Sequence, residues 1–285
     1  HVAGIAAALT NNSEGVAGMS WNARIMPLRV LDASGSGWSS DIISAINWAS
    51  THGAKVLNLS LGGPSYSVSM QNAVTAATNA GSLVIAAMGN CRTAGNGCSE
   101  ANPTSYPAAY NNVMAVAATN RSDGYAYYSQ YGAHCDIAAP GGAIYTNDIT
   151  GGIYSTMPTY NVTLTIKDYG YLQGTSMATP YVSGLAALIW SAAPGLTPAQ
   201  VQQVIQNTAV DLGPAGWDQN YGYGRIAPLA ALQSVALPAP TLSAISNPEN
   251  DGAYSVSWSA VSGATGYTLQ EDDNASFSSP ATRYS

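Results

Sequence analysis

Gly174-Thr175-Ser176-Met177-Ala178-Thr179-Pro180, running on as Tyr181-Val182-Ser183-Gly184-Leu185-Ala186-Ala187-Leu188-Ile189-Trp190, is the stretch whose reading decides the fold. A Gly-Thr lead delivers a serine to the mouth of an apolar helix. Small residues, namely Ala178, Ser183, Gly184, Ala186 and Ala187, recur along it. Side chains of that size let neighbouring backbones approach closely, so the helix can run through the middle of a domain. Pro180 is tolerated only near a helix start, which puts the start at about Ser176. A serine in the first turn sits at the positive end of the helix dipole, where developing negative charge is favoured. Taken alone, the stretch has two meanings: a buried helix with a serine cap, or a nucleophile held at a helix mouth.

Outward from this helix, apolar runs alternate with helical periods. Leu83–Met88 and Val113–Ala118 are continuous apolar strands, Asp136–Pro140 is a shorter one, and Val56–Leu61 ends in Gly62-Gly63. Ala23–Leu31 also reads as a strand, followed by the loop Asp32–Gly37. Residues 1–9, Ser40–His52 (Ile42, Ile43, Ile46, Trp48, Ala49 on one face) and Ser67–Ala80 (Met70, Val74, Ala77) read as helices. After the serine helix come Thr197–Val210 and a closing helical stretch within residues 222–232. The pattern predicts an α/β domain, a three-layer parallel sheet with helices on both faces. In such sheets the working residues lie beyond the carboxyl ends of strands, where Gly35–Gly37, Gly62 and Asn90 fall.

The hydrophobic fraction of 46% permits a large core, while charged residues make up just 8%, so Ser, Thr, Asn and Tyr must coat the surface. The net charge of -7 and the absence of a basic cluster argue against nucleic acid or an anionic membrane as a partner. No run of apolar residues is long enough to span a bilayer. Two lysines, one Phe and eighteen Tyr suit a secreted protein, and a monomer is expected. Cys91 and Cys98 are close enough for a short-loop disulfide, with buried free thiols the alternative; Cys135 is then left over.

A neutral serine needs a general base, normally histidine, and donors for the oxyanion. The three histidines, His1, His52 and His134, all precede Ser176, which removes any hydrolase order in which the base follows the serine. Gly-x-Ser-x-Ala in place of Gly-x-Ser-x-Gly removes the α/β-hydrolase elbow. His52 closes a helix, where it complements the dipole. His134 and Cys135 are two metal-ligand types side by side, too few for a closed site.

GTSMATPYVSG resembles the nucleophile segment of the subtilisin-like serine proteases (subtilases, S8 type), whose usual wording is GTSMATPHVAG; Tyr181 and Ser183 are the departures. Similarity extends over residues 1 to about 235 and is strongest to thermitase-like members, for instance across HVAGIAAALTNNSEGVAG and RVLDASGSG. The resemblance implies Ser176 as nucleophile and Asn90, in AAMGN where the family has AAGN, as oxyanion donor. It implies two backbone edges that clasp an extended peptide, Gly35-Ser36-Gly37 and Ser60-Leu61-Gly62 (in SLGG), as an added strand would be clasped. Ala87, Gly89, Ser105, Tyr106 and Pro107 would wall an uncharged S1 pocket, with Tyr106-Pro107 a candidate cis peptide. Leu9, Glu14 and Val16 through main-chain oxygens, with the Asn12 side chain, would bind Ca²⁺. His1-Val2-Ala3-Gly4 matches the second histidine of the family's HGTHVAG. The catalytic histidine and the acidic member are therefore expected upstream of residue 1, His1 is structural, and residues 1–236 are an internal fragment that is inactive by itself.

Leu237-Pro238-Ala239-Pro240 reads as a stiff linker. Beyond it, Tyr254–Trp258 and Tyr267–Gln270 alternate around a Ser262–Gly266 turn, and the segment 241–285 resembles the start of a fibronectin type III-like (Ig-like) β-sandwich, truncated. The function so implied is that of a secreted serine endopeptidase acting on proteins or peptides. The competing class is a catalytically inactive, protease-like binding or adhesion protein. Residues 147–172 form a longer Tyr- and Thr-rich loop than thermitase-like enzymes have.

Overall fold

The computed structural model describes residues 1–95, 97–159, 168–236, 240–243, 256–262, 264, 266–271 and 281–284. The chain divides into two compact units, His1–Val235 and Ala236–Ser285.

In the first unit, β1 (Val56–Leu59), β2 (Leu83–Ala87), β3 (Val113–Thr119) and β4 (Ile137–Pro140) form one parallel sheet in the order β1-β2-β3-β4, with Val56 beside Leu83, Val84 beside Val113 and Val116 beside Ile137. The residues of β2 and β3 are buried throughout, which is why they read as continuous apolar runs. Their side chains still alternate between two cores. Val84, Ala86, Ala115 and Ala117 join Ile46, Met70 and Val74 on the face covered by α2 (Ser39–Thr51) and α3 (Val68–Asn79). Leu83, Ile85, Met114 and Val116 join Val182, Leu185, Ile189, Val201 and Ala231 on the face covered by α4 (Thr175–Ala192), α5 (Pro198–Asn207) and α6 (Pro228–Val235). Three layers result, as the apolar pattern predicts. Ser67 caps α3 by accepting from the Met70 N–H, and Thr197 with Gln200 forms a capping box on α5.

α4 lies across the sheet, and α1 (Val2–Ala7) crosses it. That crossing needs glycine at Gly184, where a Cβ would stand 2.6 Å from Met19 Cβ and 2.9 Å from the Ala6 oxygen. No helix among the described residues is long and apolar enough to cross a membrane.

Two expectations are corrected. Ala23–Leu31 forms no strand: it runs largely exposed and finds no ladder partner among the described residues, so extended residues alone do not make a strand. The loop 147–172 contains a 3₁₀ turn at Ile149–Gly151 and an antiparallel pair, β5 (Ile153–Thr156) with β6 (Tyr169–Leu172); residues 160–167 lie outside the described set. Tyr154 packs against Tyr169 and Tyr171, and Tyr169 closes over Gly15 of the loop 10–15. The His1 ring donates from Nε2 to the carbonyls of Ile153 (3.0 Å) and Gly170 (3.2 Å), fixing the start of α1 to this pair.

In the second unit, Leu242 bridges antiparallel to Trp258, and β7 (Leu269–Glu271) pairs antiparallel with β8 (Ala281–Tyr284). The Trp258 and Tyr267 rings lie 5.8 Å apart. Residues 254–255 of the expected strand 254–258 fall outside the described set, as do 237–239 of the expected linker.

A buried carboxyl ties the first unit together. Asp136, just before β4, accepts from the Ala115 N–H through Oδ2 (2.8 Å) and from Gln202 and Gln206 of α5 through Oδ1 (3.2 and 3.1 Å). Burial pushes its pKa from the usual 3.8 up to about 6, against the pull of those donors. A raised value means that the fold binds the proton more tightly than the unfolded chain does. The stability so contributed is fully present below pH 3.8 and is lost as pH rises through about 6. Asp136→Asn cannot titrate. The unfolding free energy of the parent minus that of the variant, from urea titrations, is therefore expected to fall between pH 3.8 and about 6. A flat difference across that window would contradict the assignment.

Candidate active site

Ser176 lies half-buried in the first turn of α4. The helix is capped by Gly174, whose φ of +147° belongs to a region that L side chains rarely adopt. The next residue, Thr175, is fully buried and clasps Asn90. The Thr175 N–H (2.9 Å) and Oγ1–H (3.0 Å) both donate to Asn90 Oδ1, and Thr175 Oγ1 accepts from the Gly89 N–H (3.1 Å). The carbonyl end of the Asn90 amide is thereby fixed against the helix start, and the residue is solvent-exposed. Among the described residues neither Asn90 Nδ2 nor the Ser176 N–H has a hydrogen-bond partner. One unpaired donor thus stands at the start of α4 and another on the loop that Thr175 ties to it.

Pro180 is the sixth residue of α4, whose start at Thr175 lies one residue before the expected one. It has no N–H for the carbonyl four residues back, that of Ser176. Ser60 fills the gap: its Oγ–H donates to the Ser176 oxygen at 2.9 Å, and Ser176 Oγ donates to the Ser60 oxygen at 3.2 Å. Ser60 in turn accepts from Asn58 Nδ2 (3.0 Å), and Asn58 Oδ1 accepts from Ser183 Oγ (2.9 Å). The edge after β1 is thus stitched to α4 on both sides of Pro180.

That edge continues to a wall. Gly63 and Tyr106 exchange both backbone hydrogen bonds (2.9 and 2.8 Å), and a Cβ on Gly62 would lie 2.8 Å from Ser105 Oγ. Ser105 is buried, the Tyr106-Pro107 peptide is cis, and the rings of Tyr66, Tyr106 and Tyr110 pack together behind it. Ala87 ends β2 in the core, and Gly89 turns the chain toward Asn90 with φ +106°. Tyr128 donates to the Gly141 and Gly142 carbonyls at 2.8 and 2.6 Å. Burial raises its phenol well above the usual 10, so it stays a neutral donor.

Ser60, Gly62, Gly89, Asn90, Ser105 and Ser176 are thereby linked through a few hydrogen bonds and close contacts. The loop Gly35-Ser36-Gly37 is not joined to them by any hydrogen bond among the described residues. It is exposed and shaped internally by Asp32, whose Oδ1 accepts from Ser34 N–H, Ser34 Oγ and Ser36 N–H. Of the candidate calcium ligands, Leu9 is exposed, and Asn12 Oδ1 accepts from the Glu14 N–H at 3.1 Å. Main-chain and amide oxygens in one exposed loop suit a hard cation in kind. Among the described residues no three His, Cys, Asp or Glu side chains converge as a metal cage. Cys91 and Cys98 form a disulfide, while Cys135 is a buried free thiol. His52 ends α2 stacked on Trp48. Thr175, Asn58 and Gln130 were not singled out from sequence; Thr175 stands inside the serine motif, whereas the other two carry no pattern.

The profile of the Subtilase family matches residues 1–224. This chain belongs to the subtilase family. Over 226 residues, 79% of this chain and 49% of the relative, the subtilase is 44% identical to the thermophilic serine proteinase of Bacillus sp. (strain AK1). It is 42% identical to thermitase of Thermoactinomyces vulgaris over 233 residues, 82% of this chain and 74% of that one. Among solved structures it is similar to a protease of Pseudoalteromonas arctica, with a TM-score of 0.73 at 40% identity over 83% of this chain and 70% of the other. The chain thus spans about half the length of the first of these relatives and about three quarters of the second.

The proline-orphaned carbonyl yields a direct test. Ser60→Ala is expected to lower the unfolding free energy of the subtilase by about 1 kcal/mol, the ordinary net worth of such a bond. In a Pro180→Ala background, where an N–H is restored, the same substitution should cost less than half as much. Equal costs in urea titrations of both backgrounds would show that Ser60 does not serve that carbonyl.

Proposed function

We propose that this subtilase is the nucleophile-bearing part of a secreted serine endopeptidase that cleaves peptide bonds in proteins. The clasp of Thr175 on Asn90 carries the proposal, because it ties one end of the amide to the residue preceding Ser176 and leaves the donor end without a partner among the described residues. In this reading Ser176 Oγ attacks the scissile carbonyl carbon while its proton passes to a histidine in a segment preceding His1, itself oriented by an acidic residue further upstream. The carbonyl oxygen becomes negative between Asn90 Nδ2 and the Ser176 N–H, aided by the N-terminus of α4. The amine leaves with the proton, and water then hydrolyses the acyl-enzyme. The substrate backbone adds as a strand between Ser60-Leu61-Gly62 and Gly35-Ser36-Gly37. Its P1 side chain enters the uncharged space walled by Ala87, Gly89 and Ser105. Loop 9–16 binds a structural Ca²⁺ through Leu9, Asn12, Glu14 and Val16, and residues 241–285 open a fibronectin type III-like domain.

In the full-length protein, a serine-directed phosphonate should label Ser176, and Ser176→Ala should abolish labelling and turnover together. Labelling that persists in the variant would refute the assignment. Asn90→Ala is expected to keep KM within a few-fold and lower kcat by about 10²–10³, a magnitude known from subtilisin itself. A kcat unchanged by that substitution would remove the oxyanion role.

For the cation, adding Ca²⁺ should raise Tm by about 2–4 °C for each kcal/mol of linked binding, read by calorimetry. Asn12→Ala should weaken that shift. A Tm indifferent to Ca²⁺ and to chelator would exclude the site.

A further inference from the structure

The Thr175 clasp fixes the Asn90 side chain, but an oxyanion donor also needs its backbone held. The two residues flanking Asn90 are both secured by one residue, Gln130, which is 4% exposed. The Gln130 N–H donates to the Gly89 oxygen at 3.0 Å. Gln130 Oε1 accepts from the Cys91 N–H at 3.1 Å, and its Nε2 donates to the Pro103 carbonyl. The fit allows no side chain on Gly89, where a Cβ would stand 2.0 Å from Gln130 Oε1. Gln130 therefore reaches the peptide before Asn90 through its main-chain N–H, and the peptide after it and the segment that leads into Ser105 through its buried side-chain amide.

A second amide repeats the device one step further out. Asn102 Nδ2 donates to the Tyr131 oxygen, and its Oδ1 accepts from the Tyr131 N–H, both at 3.0 Å, as a neighbouring strand would. The Asn102 N–H donates to the Cys91 oxygen at 2.6 Å. Arg92 closes the other side: its guanidinium lies over the rings of Tyr125 (3.9 Å) and Tyr131 (4.6 Å) and donates to the Ser129 oxygen and Asn220 Oδ1. The segments 89–92, 102–105 and 128–131 are laced into one body with Gln130 at its centre.

We propose that Gln130 is a positioning residue for catalysis, acting through the backbone of Gly89 and Cys91 to hold Asn90 in register with Ser176, and through Pro103 to hold the facing wall. This rests on the reading of Asn90 as the oxyanion donor. A displacement of the donor by a fraction of an ångström is enough to lose rate, since oriented groups act within narrow tolerances.

The test is a double-substitution cycle in the full-length protein, with kcat and KM measured on a peptide substrate and Tm recorded for each variant. Gln130→Met keeps the length and removes both side-chain hydrogen bonds. It is expected to lower kcat about tenfold. In an Asn90→Ala background, where no donor is left to position, the same change should lower kcat less than about twofold, because coupled residues do not add. An equal loss in both backgrounds, or a lowered Tm with unchanged kcat, would make Gln130 a structural residue only and overturn the proposal. If Asn90→Ala by itself leaves kcat intact, the oxyanion reading fails first and takes this one with it. Should Gln130→Met not fold, Gln130→Asn, which shortens the same amide by one methylene, is put through the same cycle with the same criteria.

Discussion

The acceptance of two hydrogen bonds from Thr175 by Asn90 Oδ1 is the interaction on which the rest depends. It joins the carboxyl end of the sheet's second strand to the first turn of the central helix, two elements far apart in sequence. A primary amide has one acceptor and one donor end. Saturating the acceptor from one side decides where the donor end goes, with no need for further contacts on the solvent side. The parallel sheet brings Gly89 and Asn90 to that meeting point, and the small residues of α4 let the helix come close enough to complete it.

Pro180 is the second constraint. A proline inside a helix usually counts against stability, since it leaves a carbonyl without its partner. Here the abandoned carbonyl belongs to Ser176 itself, and the hydroxyl that takes it belongs to the edge of the neighbouring strand. The irregularity therefore does what a regular helix could not. It opens a bonding position at the serine and uses it to fix the distance between the serine and the Ser60–Gly63 segment.

How much of this was legible in the sequence varies with the kind of force involved. The strands Leu83–Ala87 and Val113–Thr119 announce themselves because both faces are buried, and burial selects apolar residues without a gap. The helix and its serine are legible because glycine, proline and small residues each answer a steric demand. Ala23–Leu31 misleads because an extended, partly apolar run says nothing about whether a neighbour is present to pair with it. The pair β5–β6 is hidden for the opposite reason: its buried positions are Ser155 and Gly170, its tyrosines lie partly or largely exposed, and it is held by ring packing and backbone bonds, so no apolar alternation marks it. Gln130 leaves no trace at all. Its polar side chain in a loop has the look of surface, and only the three segments folded around it show that it is interior.

The groups bonded directly to Ser176, Thr175 and the Asn90 side chain are neutral: hydroxyls, a side-chain amide and peptide units. The two ion pairs between described residues, Arg121 with Asp148 and Arg225 with Asp123, join partly exposed side chains outside this frame. Neutral hydrogen bonds carry no long-range field, and dissolved ions have little to screen in them. A frame of this sort is electrically quiet. Dissolved salt therefore leaves the hydrogen-bonded geometry around Ser176 unaltered.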